Sequence, residues 1–224
     1  MADRAPLVAV LFDMDGLMLD TERLLYAAWQ RAMADYGYQA SEEVFLASLG
    51  TTVAATNQLL RAAYGPDFPL EATNGRTGDY VWEEVDDRGA PLKPGLLALL
   101  DYLEAQDIPK AVASSSERTT IDRLLSSAGL LARFPVTVAG DEVVHGKPAP
   151  DIFLLAAGRL GVDPAQCLVL EDSEPGARAA HAAGMAVIIV PDLKSPSDEV
   201  ARLAAAVLPD LHAVQDWLAQ QAPA

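Results

Sequence analysis

The stretch Leu7-Val8-Ala9-Val10-Leu11-Phe12-Asp13-Met14-Asp15-Gly16 runs from an apolar segment straight into two carboxylates and a glycine. An apolar, β-rich run of that length, bounded by Gly16, reads as a buried strand. Carboxylates placed where such a strand leaves the core are costly unless a cation or a metal neutralises them. In open parallel sheets the carboxyl ends of the strands are also where ligands bind. A single Asp there is commonly a turn residue or a helix cap. Two of them, with a further acidic site at Glu171-Asp172, point instead to a metal-dependent site for phosphate. Met14, between the two Asp, is expected to face the interior.

Further apolar, β-branched runs follow at Lys110–Ala113, Val136–Ala139, Cys167–Leu170 and Ala186–Val190. Ala/Leu-rich segments of helical period lie between them, at Glu117–Ala128, Pro150–Leu160 and Glu174–Ala183. Strands alternating with helices imply right-handed crossovers and a doubly wound parallel α/β sheet. Between the first two strands the pattern changes: from Leu17 to about Ala90 it reads as helix throughout. One crossover helix cannot absorb that length, so residues 17–91 are expected to form an inserted helical domain on a core of 1–16 and 92–224. Gly89-Ala90-Pro91-Leu92-Lys93-Pro94-Gly95 marks its exit as a hinge, which is what a lid needs. From Ser197 onward the chain reads as a helix, a link around Leu208-Pro209-Asp210, and a last helix.

The 224 residues are 51% hydrophobic and 21% charged, which argues for a packed globule. A formal charge of −16 disfavours nucleic acid and anionic membranes as partners. It would also repel a phosphate substrate at long range, so a metal and a lysine must reverse the field locally. A single cysteine, Cys167, in a strand-like run suits packing in a reducing cytoplasm. The N-terminal apolar run is too short for a signal peptide, and no apolar stretch approaches the ~20 residues of a spanning helix. A cytoplasmic monomer is expected.

Four stations lie at or just after strand ends: Asp13 with Asp15, Ser114, Lys147, and Glu171 with Asp172. Together, FDMDGLMLDTE, VASSS, HGKPAPDIFL and LEDSEPGARAAHAAGM resemble the haloacid dehalogenase superfamily over nearly the whole chain. The inserted segment resembles the small helical cap of its β-phosphoglucomutase-like branch. The resemblance implies that Asp13 is a nucleophile forming an aspartyl-phosphate and that Asp15 is the general acid and base. It implies Mg²⁺ on Asp13 and Asp172, helped by the Asp15 carbonyl and, through water, by Glu171. Lys147 would offset the carboxylates and bind the transferring phosphoryl group, and Ser114 would hydrogen-bond a phosphate oxygen. Gly16 and Ser115 are further candidates at the phosphate, although Ser115 and Ser116 also suit a turn or cap. Polar candidates in the cap are Glu22, Thr51, Thr52 and Asn57, the threonines doubling as helix caps after Gly50. His145 lacks a second ligand and reads as a loop residue.

Departures from the family pattern bear on the reaction. Where the sugar-phosphate mutases of this branch carry a histidine, this chain has Leu25. Their basic cap stretch corresponds to Ser48-Leu49-Gly50-Thr51-Thr52-Val53, which is neutral. A mutase must hold a second phosphate, which a neutral cap does poorly. The expectation is therefore an Mg²⁺-dependent phosphatase for a small phosphomonoester, such as a sugar phosphate or pseudouridine monophosphate. A phosphosugar mutase is the alternative, and a catalytically silent binding module a further one.

Overall fold

The computed structural model describes residues 7–51 and 53–221. Two compact units emerge: one runs to Leu19 and resumes at Leu92, and the other is Asp20–Pro91.

In the first unit, β1 (Ala9–Phe12), β2 (Lys110–Ala113), β3 (Val136–Val138), β4 (Cys167–Glu171), β5 (Ala186–Ile189) and β6 (Ala206–Val207) form a parallel sheet. Its order among the described residues is β3-β2-β1-β4-β5-β6. Every residue of β1 is buried, because Val10 pairs with both Lys110 and Leu168 in the centre of the sheet. Each fully buried Val, Leu or Phe there contributes about 1.5–3 kcal/mol, enough to fix the strand register. The chain leaves β1 to either side, so the strand order reverses at β1 and β4. That is the position where doubly wound sheets open a crevice for ligand, and both strands end in carboxylates.

The helices of this unit are α5 (Leu96–Ala105), α6 (Arg118–Ser127), α7 (Asp151–Leu160), α8 (Glu174–Ala182), α9 (Asp198–Ala201) and α10 (Leu211–Gln221). Ile152, Phe153, Ala156 and Ala157 of α7 and Ala177 and Ala180 of α8 pack with Leu11 and Val169 of the sheet. Small residues on α8 let that helix lie close to its strands.

The second unit contains α1 (Thr21–Asp35), α2 (Glu42–Ser48), α3 (Val53–Tyr64) and α4 (Leu70–Arg88). Ala28 and Ala32 of α1 pack with Tyr80 of α4, whose hydroxyl donates to Asp35 at 2.7 Å. Trp29, Tyr26, Phe45, Tyr64, Tyr38 and Phe68 form a chain of ring contacts. Trp29 is therefore a packing residue. No helix among the described residues is long and apolar enough to cross a membrane.

Two sequence-based expectations need correction. The helical reading from Leu17 fails at its start. Met14 O accepts from the N–H groups of both Met18 and Leu19, which closes a turn, and Leu19 pairs with Leu92. The helical unit accordingly begins after Leu19. The second correction is β6, which the sequence read as part of a helix followed by a link. Ala205 N–H donates to Val187 O at 2.8 Å and Leu208 N–H to Ile189 O at 2.9 Å. Tertiary pairing with β5 thus overrides the helix preference of the alanine-rich run.

The edge at β3 is closed by charge. Arg118 and Arg159 donate to Thr137 O at 3.0 and 2.9 Å, so an outward carbonyl of the edge strand is taken. Both guanidinium groups also reach Glu142, which accepts from Ala139 N–H at 2.8 Å. The Arg159 hydrogen bond, opposed by partial burial and helped by Ala139 and Arg118, pulls the Glu142 carboxyl from 4.5 down to about 2. A depressed carboxyl stabilises the fold above its unfolded pKa and loses that contribution as pH falls through its folded value. Glu142→Gln is expected to lower the thermal midpoint at neutral pH, with the gap to wild type closing as pH falls from about 4.5 toward about 2. Melting curves across that range check it, and a pH-independent gap would refute the ionic account.

Candidate active site

Asp13 is the residue after β1, and its N–H donates to Leu170 O of β4 at 3.0 Å. That bond carries sheet pairing one residue past the strand and leaves the carboxylate at the strand-order reversal, with Asp13 only 7% exposed. Lys147 enters from the loop before α7, with a side chain 6% exposed. Its ammonium is ion-paired with Asp13 Oδ1, lies 2.6 Å from Glu171 Oε1 and donates to Ala113 O at 3.2 Å. The sequence-based assignment of Lys147 to this cluster, and not to the surface, matches this placement.

Glu171 ends β4 and is fully buried. Its Oε2 accepts from Asp172 N–H at 3.1 Å, Ser173 N–H at 3.0 Å and the Ser173 hydroxyl at 2.8 Å. The same hydroxyl caps α8 by accepting from Gly176 N–H. A Cβ at position 176 would lie 1.7 Å from Glu171 Oε1, so glycine there is what leaves room for the carboxylate. Gly16 serves Asp172 similarly. Its φ is +81°, and an added Cβ would lie 2.3 Å from Asp172 Oδ2.

Asp15 Oδ2 accepts from the Ser116 hydroxyl at 2.8 Å and from the Ser114 hydroxyl at 3.3 Å. Ser114 is itself buried at the end of β2, its N–H bonded to Val138 O. Ser115 is exposed, and its backbone packs against Gly140. The sequence reading gave Ser116 only a turn or cap role. The missed signal is the Ser114-Ser115-Ser116 alternation just past a strand, which sends the first and third hydroxyls the same way.

Burial pushes the Asp13 carboxyl from 3.8 up to about 8, with Lys147 opposing and the charges of Glu171 and Asp15 adding to the rise. Burial alone would lower Lys147, but Asp13 and Glu171 outweigh it and hold the ammonium above its ordinary value. The carboxyl groups of Asp13, Asp15, Glu171 and Asp172 share this region with the Lys147 ammonium. Asp13, Glu171 and Asp172 each offer an oxygen, and these lie within 4.8 Å of one another. Hard oxygen donors gathered this closely fit a divalent cation such as Mg²⁺.

His145 pairs with Asp151 at 3.2 Å on an exposed loop, with its side chain 71% exposed. Glu22, Thr51 and Asn57 belong to the helical unit, and Thr52 lies outside the described residues. Thr51 donates to Ser48 O at the end of α2 at 2.7 Å and contacts the Thr56 hydroxyl of α3 at 2.8 Å. Asp20 precedes α1 without a side-chain cap bond and accepts instead from Arg23.

The family profile of haloacid dehalogenase-like hydrolases matches residues 7–184. The chain belongs to that family. It is 38% identical over 188 residues to a protein named probable pseudouridine-5′-phosphatase from Drosophila melanogaster, covering 81% of this chain and 80% of the relative. It is 36% identical to the fructose-1-phosphate phosphatase YqaB of Escherichia coli K12, covering 81% of this chain and 95% of that one. Among solved structures, a HAD family hydrolase from Deinococcus radiodurans R1 with bound phosphate and sodium superposes with a TM-score of 0.82 at 29% identity, over 96% of both chains. The α/β fold and the family resemblance read from the sequence are thereby established.

Proposed function

We propose that the protein is a phosphoric monoester hydrolase for a small phosphorylated metabolite, a sugar phosphate or a nucleotide-like phosphate, working with Mg²⁺. The observation that carries this reading is the buried Lys147 ammonium between Asp13 and Glu171, with Asp15 held alongside by serine hydroxyls. The names of the relatives support the ester chemistry.

In this reading an Asp13 oxygen attacks phosphorus, and the P–O bond to the alcohol breaks. Asp15, as the carboxylic acid, gives its proton to the leaving oxygen. Water then attacks the aspartyl-phosphate while Asp15, now a carboxylate, takes its proton. Phosphate leaves and Asp13 is restored. Lys147 and Ser114 hold the phosphoryl oxygens as charge shifts between them. Asp13 and Asp172, with the Asp15 carbonyl, would hold Mg²⁺, which supplies positive charge beside the transferring phosphoryl group. Glu171, with an oxygen within 4.8 Å of theirs, would help through a water. Its Oε1 is also engaged by Lys147 and its Oε2 by three donors, so it holds the lysine as well. Gly16 contributes by leaving space for Asp172. Discrimination among esters would fall to the polar residues the sequence singles out, Glu22, Thr51, Thr52 and Asn57. Leu25, in place of the mutase histidine, favours hydrolysis over transfer to a second phosphate.

The test is phosphate release from a panel of phosphomonoesters, with Mg²⁺ and with chelator. Activity should require Mg²⁺, and conversion of β-glucose 1-phosphate with a bisphosphate primer should be absent. Asp172→Ala is expected to raise the Mg²⁺ requirement at least about 10-fold, since even changes around metal ligands cost about that much. Ca²⁺ should inhibit, because its looser shell misplaces in-line attack. Full turnover with Ca²⁺, or an unchanged Mg²⁺ requirement in the variant, would discard this metal assignment.

A further inference from the structure

A buried ion pair that the proposed chemistry does not use lies on the same edge of the sheet. Lys93 Nζ is 2.5 Å from Asp192 Oδ1, with side chains 12% and 1% exposed. Asp192 follows β5, and between them Val190 N–H donates to the carbonyl of Glu171 at 2.7 Å. The aspartate therefore stands at the carboxyl edge of the sheet, next along from the end of β4. Lys93 stands in the segment that enters α5.

Stability alone is a weak reason for such a pair. Two charges removed from water roughly offset their mutual attraction, and a packed apolar pair often does as well. Its backbone connections are more telling. Lys93 N–H donates to Met18 O at 2.9 Å, and the neighbouring Leu92 pairs antiparallel with Leu19. Met18 and Leu19 close the turn that presents Asp15. Their N–H groups both reach Met14 O, at 2.9 and 3.0 Å, and Gly16 N–H returns to Leu19 O at 2.9 Å. Within Met14–Leu19 these bonds close the turn only on itself. Lys93 N–H ties it to a different segment of the unit, and the Lys93 side chain ties that segment to the end of β5. The Asp15 carboxylate is held separately, from the β2 side, by Ser116 and Ser114.

We propose that Lys93 and Asp192 are positioning residues for Asp15, bracing the turn after β1 against the end of β5. This rests on the phosphatase reading, in which Asp15 moves the proton. Neither residue of the pair touches the reacting atoms. The brace acts through the Lys93 main chain, and the ion pair fixes where that main chain lies.

Lys93→Met keeps the stem of the side chain and removes the charge. It is expected to lower kcat between about 10- and 100-fold, the cost of displacing a catalytic group by a fraction of an ångström to about 1 Å, with KM little changed. Lys93→Arg, which keeps a cation for Asp192, should retain most of kcat. Hydrogen exchange supplies a readout independent of turnover. The amides of Gly16–Leu19 and of Lys93 should exchange faster in Lys93→Met and remain protected in Lys93→Arg. If only the thermal midpoint falls, while kcat and these amides stay as in wild type, the pair is a stability element and the brace is refuted. Should Lys93→Met fail to fold, Asp192→Asn carries the same readouts, because the amide keeps the shape of the carboxylate. If wild-type protein releases phosphate from no ester, the phosphatase reading fails by itself. Exchange at Gly16–Leu19 then decides the brace alone, and unchanged protection in the variant overturns it.

Discussion

Asp13→Asn is expected to lower phosphate release by about 10⁵-fold or more, the scale reached when a covalent nucleophile is removed, while the fold survives. An amide of the same shape fills the same space beside Lys147 but cannot form an acyl phosphate. The stability of the variant has its own signature. Burial first, then the charges of Glu171 and Asp15, pushes the Asp13 carboxyl from 3.8 up to about 8 against the pull of Lys147. Between those values the folded protein keeps a proton that the unfolded chain releases, so this group's contribution to stability falls as pH rises through the window. A neutral amide has no such dependence. In chelator, the thermal midpoint of Asp13→Asn should therefore gain on wild type as pH rises from about 4 to about 8. Single-turnover phosphate release and paired melting curves measure both effects. Substantial Mg²⁺-dependent hydrolysis by the variant, with deamidation excluded, would remove Asp13 from the nucleophile's place.

The core was legible because its signals are local and its strands are central. Leu7–Phe12, Lys110–Ala113, Cys167–Leu170 and Ala186–Val190 are short apolar runs between helical segments, and the strands fall on them within a residue or two. The acidic stations could be placed because a charged residue directly after such a run has few ordinary reasons to be there. β6 was not legible: Ala206–Val207 becomes a strand only because β5 offers a pairing edge. Nothing in an alanine-rich run announces that edge. The turn at Leu17–Leu19 was hidden for a similar reason, since Leu and Met suit a helix and only the bond from Lys93 and the pairing of Leu92 reveal the turn.

Within the site, side-chain types were easier to read than side-chain partners. Lys147 in a Gly-Lys-Pro loop could be assigned to the acidic cluster, but its bridge from Asp13 to Glu171 depends on how β1 and β4 are juxtaposed. Glu171, which the sequence places at the metal through a water, offers an oxygen within 4.8 Å of those of Asp13 and Asp172, yet the two neighbouring carboxylates are held differently. What separates them is the strand alternation: Glu171 turns into the core toward Lys147 and the Ser173 donors, while Asp172 is half-buried beside Gly16. Ser116 and the Lys93–Asp192 pair depend on approaches across about a hundred residues, which no local pattern encodes.

Lys147→Met should be the most destabilising single change in the site. Glu171 is fully buried and Asp13 nearly so, and both lean on one ammonium. Removing one partner from a buried ionic cluster costs about 3–5 kcal/mol, because the remaining charge stays unpaired in a poorly solvated place. For a chain of this size that lowers the thermal midpoint by roughly 10 °C. Turnover should fall about 100- to 1,000-fold as well, the scale of losing one preorganised electrostatic contact to the transition state. Adding Glu171→Gln to Lys147→Met removes an anion along with the cation. The double variant should therefore be less destabilised than the two single losses added together, a coupling that a double-mutant cycle measures. Turnover should not return with it, since the lysine is still missing from the phosphoryl group. Two outcomes would count against this account. If Lys147→Met melts with wild type, the ammonium is not compensating buried charge. If the double variant regains turnover together with stability, Lys147 serves the fold and not the reaction.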